Sequence, residues 1–228
     1  MEKVNFDEHA AEYEKTMAQD LGFFTEETGY LAEYKVKIVK ETFGHPEPIN
    51  ILEYGCGIGM NINYFSKHFP KANIYGCDIS QKSLEVAAER NKKVNFFLIN
   101  PENNKKFEGY FDLIFIACVF HHIHPKHRKD SMDNVYNLTK EGGQFYFFEH
   151  NPFNPVTRRI VNTCIWDTDA ILLKPKESIE LISNSGFRPD GKNKYTLFIP
   201  SYLRFLRFTE KFISFLPLGG QYYIKSKK

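Results

Sequence analysis

The chain has little of what marks several large protein classes. Its 228 residues hold four cysteines, Cys56, Cys77, Cys118 and Cys164, scattered and without a C-x-x-C pair. Neither a disulfide framework nor a paired-cysteine metal site is written into that spacing. The cysteines read as small apolar core residues of a reducing compartment. No apolar run approaches the length of a membrane-spanning helix, and Met1 to Asp7 lack an apolar signal core. These absences lead to the expectation of a cytoplasmic protein. Lysine and arginine number 30 against 28 aspartates and glutamates, a net charge of +2, which is too small for a general nucleic-acid footprint. No nucleic-acid partner is expected. Internal repeats and low-complexity segments are also absent. The remainder, 42% hydrophobic and 25% charged, suits one domain with a substantial core.

What is present begins at Ile51-Leu-Glu53-Tyr-Gly55-Cys56-Gly57-Ile-Gly59-Met-Asn61. An apolar run ends in an acid and then a glycine-spaced turn, the pattern of a first strand, loop and helix in a doubly wound α/β fold. A dinucleotide fold places its third glycine one position later, where this chain has Met60. The spacing therefore leans away from a nicotinamide cofactor. Ile74 to Asp78 reads as a second strand ending in a carboxylate nineteen residues after Gly59, where a ribose-binding acid belongs.

Further along, strands and helices alternate. The spacing predicts strands at 49–54, 73–78, 94–99, 111–117 and 142–149, with helices at 60–69, 80–91 (capped by Ser80) and 126–140. Such alternation implies a parallel sheet covered on both faces. Two helical patterns, Phe6 to Met17 and Glu26 to Phe43, precede it. After the fifth strand come an irregular or short helical segment, a helix near 176–185, a strand near 195–199, an aromatic and basic helix over 201–215, and a last strand at 221–225.

The series Glu53/Gly55/Gly57/Gly59, Asp78, Asn100 after the third strand, Phe111 to Phe115 and Gly142 to Glu149 resembles the class I S-adenosylmethionine-dependent methyltransferases, of the small-molecule, ubiquinone-biosynthesis-like type. The resemblance covers most of the chain in order and interval. It implies a three-layer, Rossmann-like, doubly wound seven-stranded sheet of order 3-2-1-4-5-7-6 with an N-terminal helical lid. One domain over 1–228 is expected: lid 1–45, cofactor-binding core 46–150, and acceptor-side and C-terminal strands 151–228. The implied cofactor is S-adenosyl-L-methionine, leaving as S-adenosyl-L-homocysteine.

The cofactor residues then expected are Glu53, Gly55, Cys56, Gly57, Gly59, Asp78, Ile79, Asn100, Pro101, Ala117 and Tyr13. The glycines admit close backbone approach, and Asp78 can accept two ribose hydroxyls. The resemblance places Glu53 near the ligand's amino group. Asn100 stands where many family members carry an aspartate, and its amide oxygen can accept the same adenine hydrogen bond without charge. Its surroundings also read as an ordinary turn. The Phe6…Tyr13 spacing resembles the helix that folds over the cofactor in small-molecule methyltransferases.

For the acceptor, a small molecule methylated at oxygen is expected, where a general base assists. Histidine is the natural candidate. His122, in the run Phe120-His121-His122-Ile-His124, and His150 are the two catalytic candidates, and both follow strand ends. Packing and loop closure are the competing roles for His121 and His122, and loop capping for His150. Adjacent histidines in one turn cannot all face a single ion, and no carboxylate or cysteine spacing matches them, so no metal is expected. Arg158 and Arg159 could hold an anionic acceptor, or could simply be exposed. The segment 201–216, with Arg204, Arg207 and Lys211 on one stripe, could roof the site, form a homodimer face or touch an anionic membrane. Periodicity favours the first two. The alternatives to a small-molecule enzyme are a catalytically silent cofactor-binding scaffold and a membrane-peripheral enzyme with a lipid-linked acceptor.

Overall fold

The structure is a computed structural model that describes residues 28–228. It opens with helix α1 (Thr28–Phe43), whose Leu31, Ala32, Lys35, Val36, Val39 and Phe43 are buried at helical spacing. Strand β1 (Asn50–Tyr54), α2 (Ile62–His68), β2 (Asn73–Asp78), α3 (Gln81–Arg90), β3 (Asn95–Leu98), α4 (Pro101–Lys106) and β4 (Phe111–Ala117) then alternate. A one-turn 3-10 segment (Phe120–His122) leads to α5 (Pro125–Leu138) and β5 (Thr139–His150). Next come α6 (Pro155–Thr163), a 3-10 turn (Ile165–Asp167), α7 (Pro175–Asn184), β6 (Arg188–Pro189) and β7 (Lys194–Thr196). A 3-10 stretch (Ser201–Thr209) continues into α8 (Glu210–Ile213), and β8 (Gln221–Lys227) closes the sheet.

The strand order is β3-β2-β1-β4-β5-β8-β6, with β7 also on β8. The first five strands are parallel, and β8 runs antiparallel to β5, β6 and β7. This is the expected doubly wound order with one difference: the sixth strand is broken in two. Arg188 lies opposite Lys227 and Lys194 opposite Tyr223, so the two pieces are offset by two residues. Gly191, at φ +81°, lies in the break. The sheet consequently counts eight strands rather than seven.

Period-two alternation divides the apolar side chains of each strand between two layers. Leu113 and Phe115 of β4 and Tyr146 and Phe148 of β5 join Val36, Phe43 and Phe65 of α1 and α2. Ile114, Ile116, Phe145 and Phe147 join Met132, Val135 and Ile182 of α5 and α7 on the other face. Strands buried on both faces read as near-continuous apolar runs, which is why β4 and β5 were legible. The winding reverses between β1 and β4, and a crevice at the carboxyl ends beside such a reversal is where ligands bind in open α/β sheets. Among the described residues no helix is long and apolar enough to cross a membrane.

Candidate active site

At the carboxyl end of β1, three left-handed glycines build the first wall. Gly55, Gly57 and Gly59 have φ of +72°, +49° and +76°, values that cost an L-residue roughly 1–2 kcal/mol. A Cβ on Gly55 would strike Val119, and one on Gly59 would strike Asn91 and Ala87, so packing demands glycine at both. A Cβ on Gly57 would meet nothing within 4 Å. Gly57 is where the loop faces open space. Its N–H donates to Asp78 Oδ2 at 2.8 Å, while Ser80 N–H donates to Asp78 Oδ1 at 3.0 Å. The end of β2 thus ties the glycine loop to the start of α3.

Beneath the loop lies Glu53, 2% exposed. Asn61 Nδ2 donates to its Oε1 at 2.5 Å, yet Glu53 Oε2 and Asn61 Oδ1 are buried without a hydrogen-bond partner. Burial raises the Glu53 pKa to about 8, against the opposing pull of Asn61 and of the Lys35 charge. Lys35 itself is 8% exposed. Its charge acts on Glu53, Cys118 and His150, which stand at or just beyond the carboxyl ends of β1, β4 and β5. No described residue is seen to form an ion pair with it. Two unpaired buried acceptors beside an open glycine turn suit a ligand with an ammonium head, as S-adenosylmethionine has.

The other residues expected at the cofactor are arranged around this wall. Cys56 is buried beneath the turn and Ile79 is exposed beside Asp78. Ala117 ends β4. Asn100 caps α4, its Oδ1 accepting from Asn103 N–H at 2.8 Å, with Pro101 at the first helical position. That short helix follows from a cap residue and a proline in series. Tyr13 lies outside the described residues.

The second wall is a buried chain of histidines and carboxylates at the ends of β4 and β5. Glu149 Oε1 accepts the N–H groups of Val119 and Phe120 at 3.0 and 2.7 Å, and its Oε2 meets His121 Nδ1 at 2.7 Å. His122 Nδ1 meets Asp169 Oδ1 at 2.9 Å. The Nε2 atoms of both rings face one atom, Asp167 Oδ1, each at 3.4 Å. The 3-10 turn and the Trp166–Asp169 segment thus bring two histidines of the run, though not His124, to one distant carboxylate. The His150 ring lies 4.9 Å from that of His121.

Electrostatics separate the three imidazoles. Burial opposes charge on His121, but Glu149 and Asp167 outweigh it and raise its pKa to about 10. Burial and the His121 charge lower His150 to about 4 and also lower His122. Burial pushes Asp167 upward, but hydrogen bonding and the histidine charges bring it down to about 2. At neutral pH His150 is uncharged, with a lone pair to offer. At the edge of this wall Cys118 holds φ +59°, an uncommon conformation for a residue with a Cβ, and Gln221 Nε2 lies 3.1 Å from its sulfur.

Sequence reasoning missed Lys35, Asn61, Asp167 and Asp169. The first two are invisible without the fold, whereas the Asp-x-Asp spacing of Asp167 and Asp169 was a signal in a stretch read as irregular. Arg158 and Arg159 are exposed on α6 and line a shallow surface cleft with Pro155 and Asn162. Arg207 does not share an outward stripe with Arg204. Its guanidinium sits 3.9 and 4.0 Å from the ring centres of Tyr30 and Tyr34.

The fold is the one shared by solved S-adenosylmethionine-dependent methyltransferases. Residues 52–145 match the family described as methyltransferase domain. Among solved structures, an S-adenosylmethionine-dependent methyltransferase of Archaeoglobus fulgidus superposes with a TM-score of 0.66 at 17% identity, covering 91% of this chain and 97% of that one. Malonyl-[acyl-carrier protein] O-methyltransferase 1 of Ilyobacter polytropus is 34% identical over 107 residues, 46% of this chain and 39% of that protein. The malonyl-[acyl-carrier protein] O-methyltransferase of Bacillus cereus is 33% identical over 92 residues, 40% of this chain and 34% of that protein. This chain thus spans less than half the length of either relative. The methyltransferase-domain match over 52–145 and the shared fold agree with the resemblance seen in the sequence.

Proposed function

We propose that the chain transfers a methyl group from S-adenosylmethionine to an oxygen of a small-molecule acceptor. The observation that carries this reading is the unpaired Glu53 Oε2 beneath the Gly55–Gly59 turn, with Asp78 on the same rim. When bound, the cofactor supplies an electrophilic methyl on a positive sulfur. Glu53 Oε2 takes the ammonium of its amino-acid head. The Asp78 carboxylate accepts the ribose hydroxyls, and Gly57 lets the ligand approach the backbone. Asn100, Pro101 and Ile79 flank the base.

Methyl transfer neutralises the sulfonium and develops no new anion, so positioning carries much of the acceleration. His150 accepts a proton or hydrogen bond from a hydroxyl acceptor, with His122 as the second candidate. Lys35 suits an acceptor with a carboxylate, the chemistry named by the malonyl carrier-protein relatives, and an ionised carboxylate needs no base. Calorimetric titration with S-adenosylhomocysteine tests the cofactor half. Saturable binding that Asp78→Ala loses supports it, and no binding by the folded wild type refutes it. Transfer of labelled methyl to malonyl-acyl carrier protein and short dicarboxylates tests the acceptor half, with Lys35→Met expected to raise KM.

A second reading, the same chemistry at a membrane surface on a lipid-linked acceptor, is favoured by one feature. Tyr202, Phe205, Phe208, Phe212 and Phe215 are each 66–73% exposed, beside Arg204 and Lys211. An apolar patch edged by basic groups suits an anionic interface. Co-sedimentation with anionic vesicles that Phe212→Ser and Phe215→Ser abolish would support it, and no co-sedimentation of the wild type would refute it.

A further inference from the structure

We propose that His121 Nε2, His122 Nε2 and Asp167 Oδ1 form a binding site for a divalent first-row transition ion such as zinc. The three atoms lie within 4.8 Å of one another. Each Nε2 stands 3.4 Å from the carboxylate oxygen. That is longer than a good N–H···O hydrogen bond, about 2.7–3.2 Å. It matches the edge of a tetrahedron whose metal bonds are about 2.0–2.1 Å, an edge of about 3.3 Å.

The outer face of each ring supports the assignment. His121 Nδ1 is held by Glu149 at 2.7 Å and His122 Nδ1 by Asp169 at 2.9 Å. Both carboxylates are acceptors, so each Nδ1 carries its proton there. Once the ring is neutral this leaves the Nε2 lone pair pointing inward, and at His121 the ion takes the place of the Nε2 proton shared with Asp167, since metal binding releases ligand protons. An imidazole whose far nitrogen is held by a carboxylate is the usual arrangement of a metal-ligating histidine, since the partner fixes the tautomer and strengthens the ligand. Here the arrangement occurs twice in adjacent residues.

Charge agrees with geometry. Glu149, Asp167 and Asp169 surround two imidazoles, so the cluster stays negative even with one ring protonated, and a divalent ion balances it. The donor set, two nitrogens and one oxygen, selects zinc, cobalt or a similar ion over calcium or magnesium, which prefer all-oxygen shells. Three protein ligands leave a fourth position. His122 and Asp167 side chains are 17% and 11% exposed, against 1% for His121. The open side is therefore where water or an acceptor oxygen reaches the ion.

The test uses purified full-length protein freed of metal with a chelator, then titrated with cobalt(II) and monitored in the visible range. One equivalent per chain with the intense absorption of a four-coordinate ion is expected. Zinc should displace it and raise Tm. His122→Gln and Asp167→Asn should each weaken binding at least a hundredfold, while circular dichroism and S-adenosylhomocysteine binding show the fold intact. Asp169→Asn should weaken it about tenfold or more. His127→Gln, outside the cluster, should bind as wild type does. Absence of stoichiometric binding by the wild type would overturn the proposal. So would binding that survives His122→Gln or that is lost in His127→Gln. None of these readouts requires knowledge of the acceptor.

Discussion

Asn61 gives Glu53 one hydrogen bond and leaves the other carboxylate oxygen bare in a buried position. The pair joins the end of β1 to the start of α2, so a single amide fixes the acid's orientation without satisfying it. Burial is the main reason the Glu53 pKa reaches about 8, against 4.5 for an ordinary glutamate.

This shift makes a prediction about pH. The folded chain keeps a proton on Glu53 that the unfolded chain has lost, so stability is complete below pH 4.5 and declines as pH rises from about 4.5 to about 8. One such group contributes about 1.4 kcal/mol per pH unit inside that window. Glu53→Gln should flatten this part of the stability profile in urea melts taken between pH 5 and 8. It should also weaken S-adenosylhomocysteine binding tenfold or more. A variant that leaves both the slope and the affinity unchanged would show that Glu53 faces neither burial nor ligand in the way described.

The glycine turn separates stability from binding. Gly59→Ala places a methyl 2.9 Å from Asn91 Nδ2 and 3.2 Å from Ala87 Cβ at φ +76°. A loss of roughly 2–4 kcal/mol is expected, from backbone strain plus overpacking. Gly57→Ala meets no atom, so only strain of about 1–2 kcal/mol remains. Its methyl nevertheless occupies the open side of the loop. Thermal melts should rank Gly59→Ala as the less stable, whereas calorimetry should show the greater affinity loss per unit of stability in Gly57→Ala.

The contrast between these glycines also shows what the sequence could convey. The apolar runs of β1, β2, β4 and β5, the acids ending β1 and β2, and the Ser80 cap were readable because each depends on local spacing. The break between β6 and β7 was not, because it is defined only by the register against β8. Likewise Lys35 looks like one more lysine on an amphipathic helix until α1 is laid beside the sheet. His121 and His122 were found as a pair, but their common partner Asp167 is 45 residues from His122, and no local pattern announces a contact over that distance.

Arg204 and Arg207 make a test of burial against charge. Arg207 lies over the rings of Tyr30 and Tyr34, donates to Ile199 O at 3.0 Å, and stands 3.8 Å from Glu210. Glu210 is 2% exposed. Removing the guanidinium costs its hydrogen bond and ring contacts and reduces the compensation of a buried acid. Arg207→Met should therefore destabilise by about 2–4 kcal/mol, while Arg204→Met, at an exposed position, should stay within about 0.5 kcal/mol. Chemical denaturation of the two variants side by side measures the difference.

Glu149 provides the sharpest stability prediction. Its side chain is fully buried and serves four donors, the Val119, Phe120 and His150 N–H groups and His121 Nδ1. Glu149→Gln keeps the volume but substitutes an NH2 for one acceptor oxygen, so a donor must face a donor whichever way the amide turns. It also removes the negative partner of buried His121. A loss of about 3–5 kcal/mol is expected, the usual cost of breaking one side of a buried charged pair. Because the Phe120–His122 turn hangs on Oε1 and the His121 ring on Oε2, hydrogen exchange should accelerate at 118–122 before the core strands open. If Glu149→Gln melts within about 1 kcal/mol of wild type, the carboxylate is not the post on which this wall of the site is built.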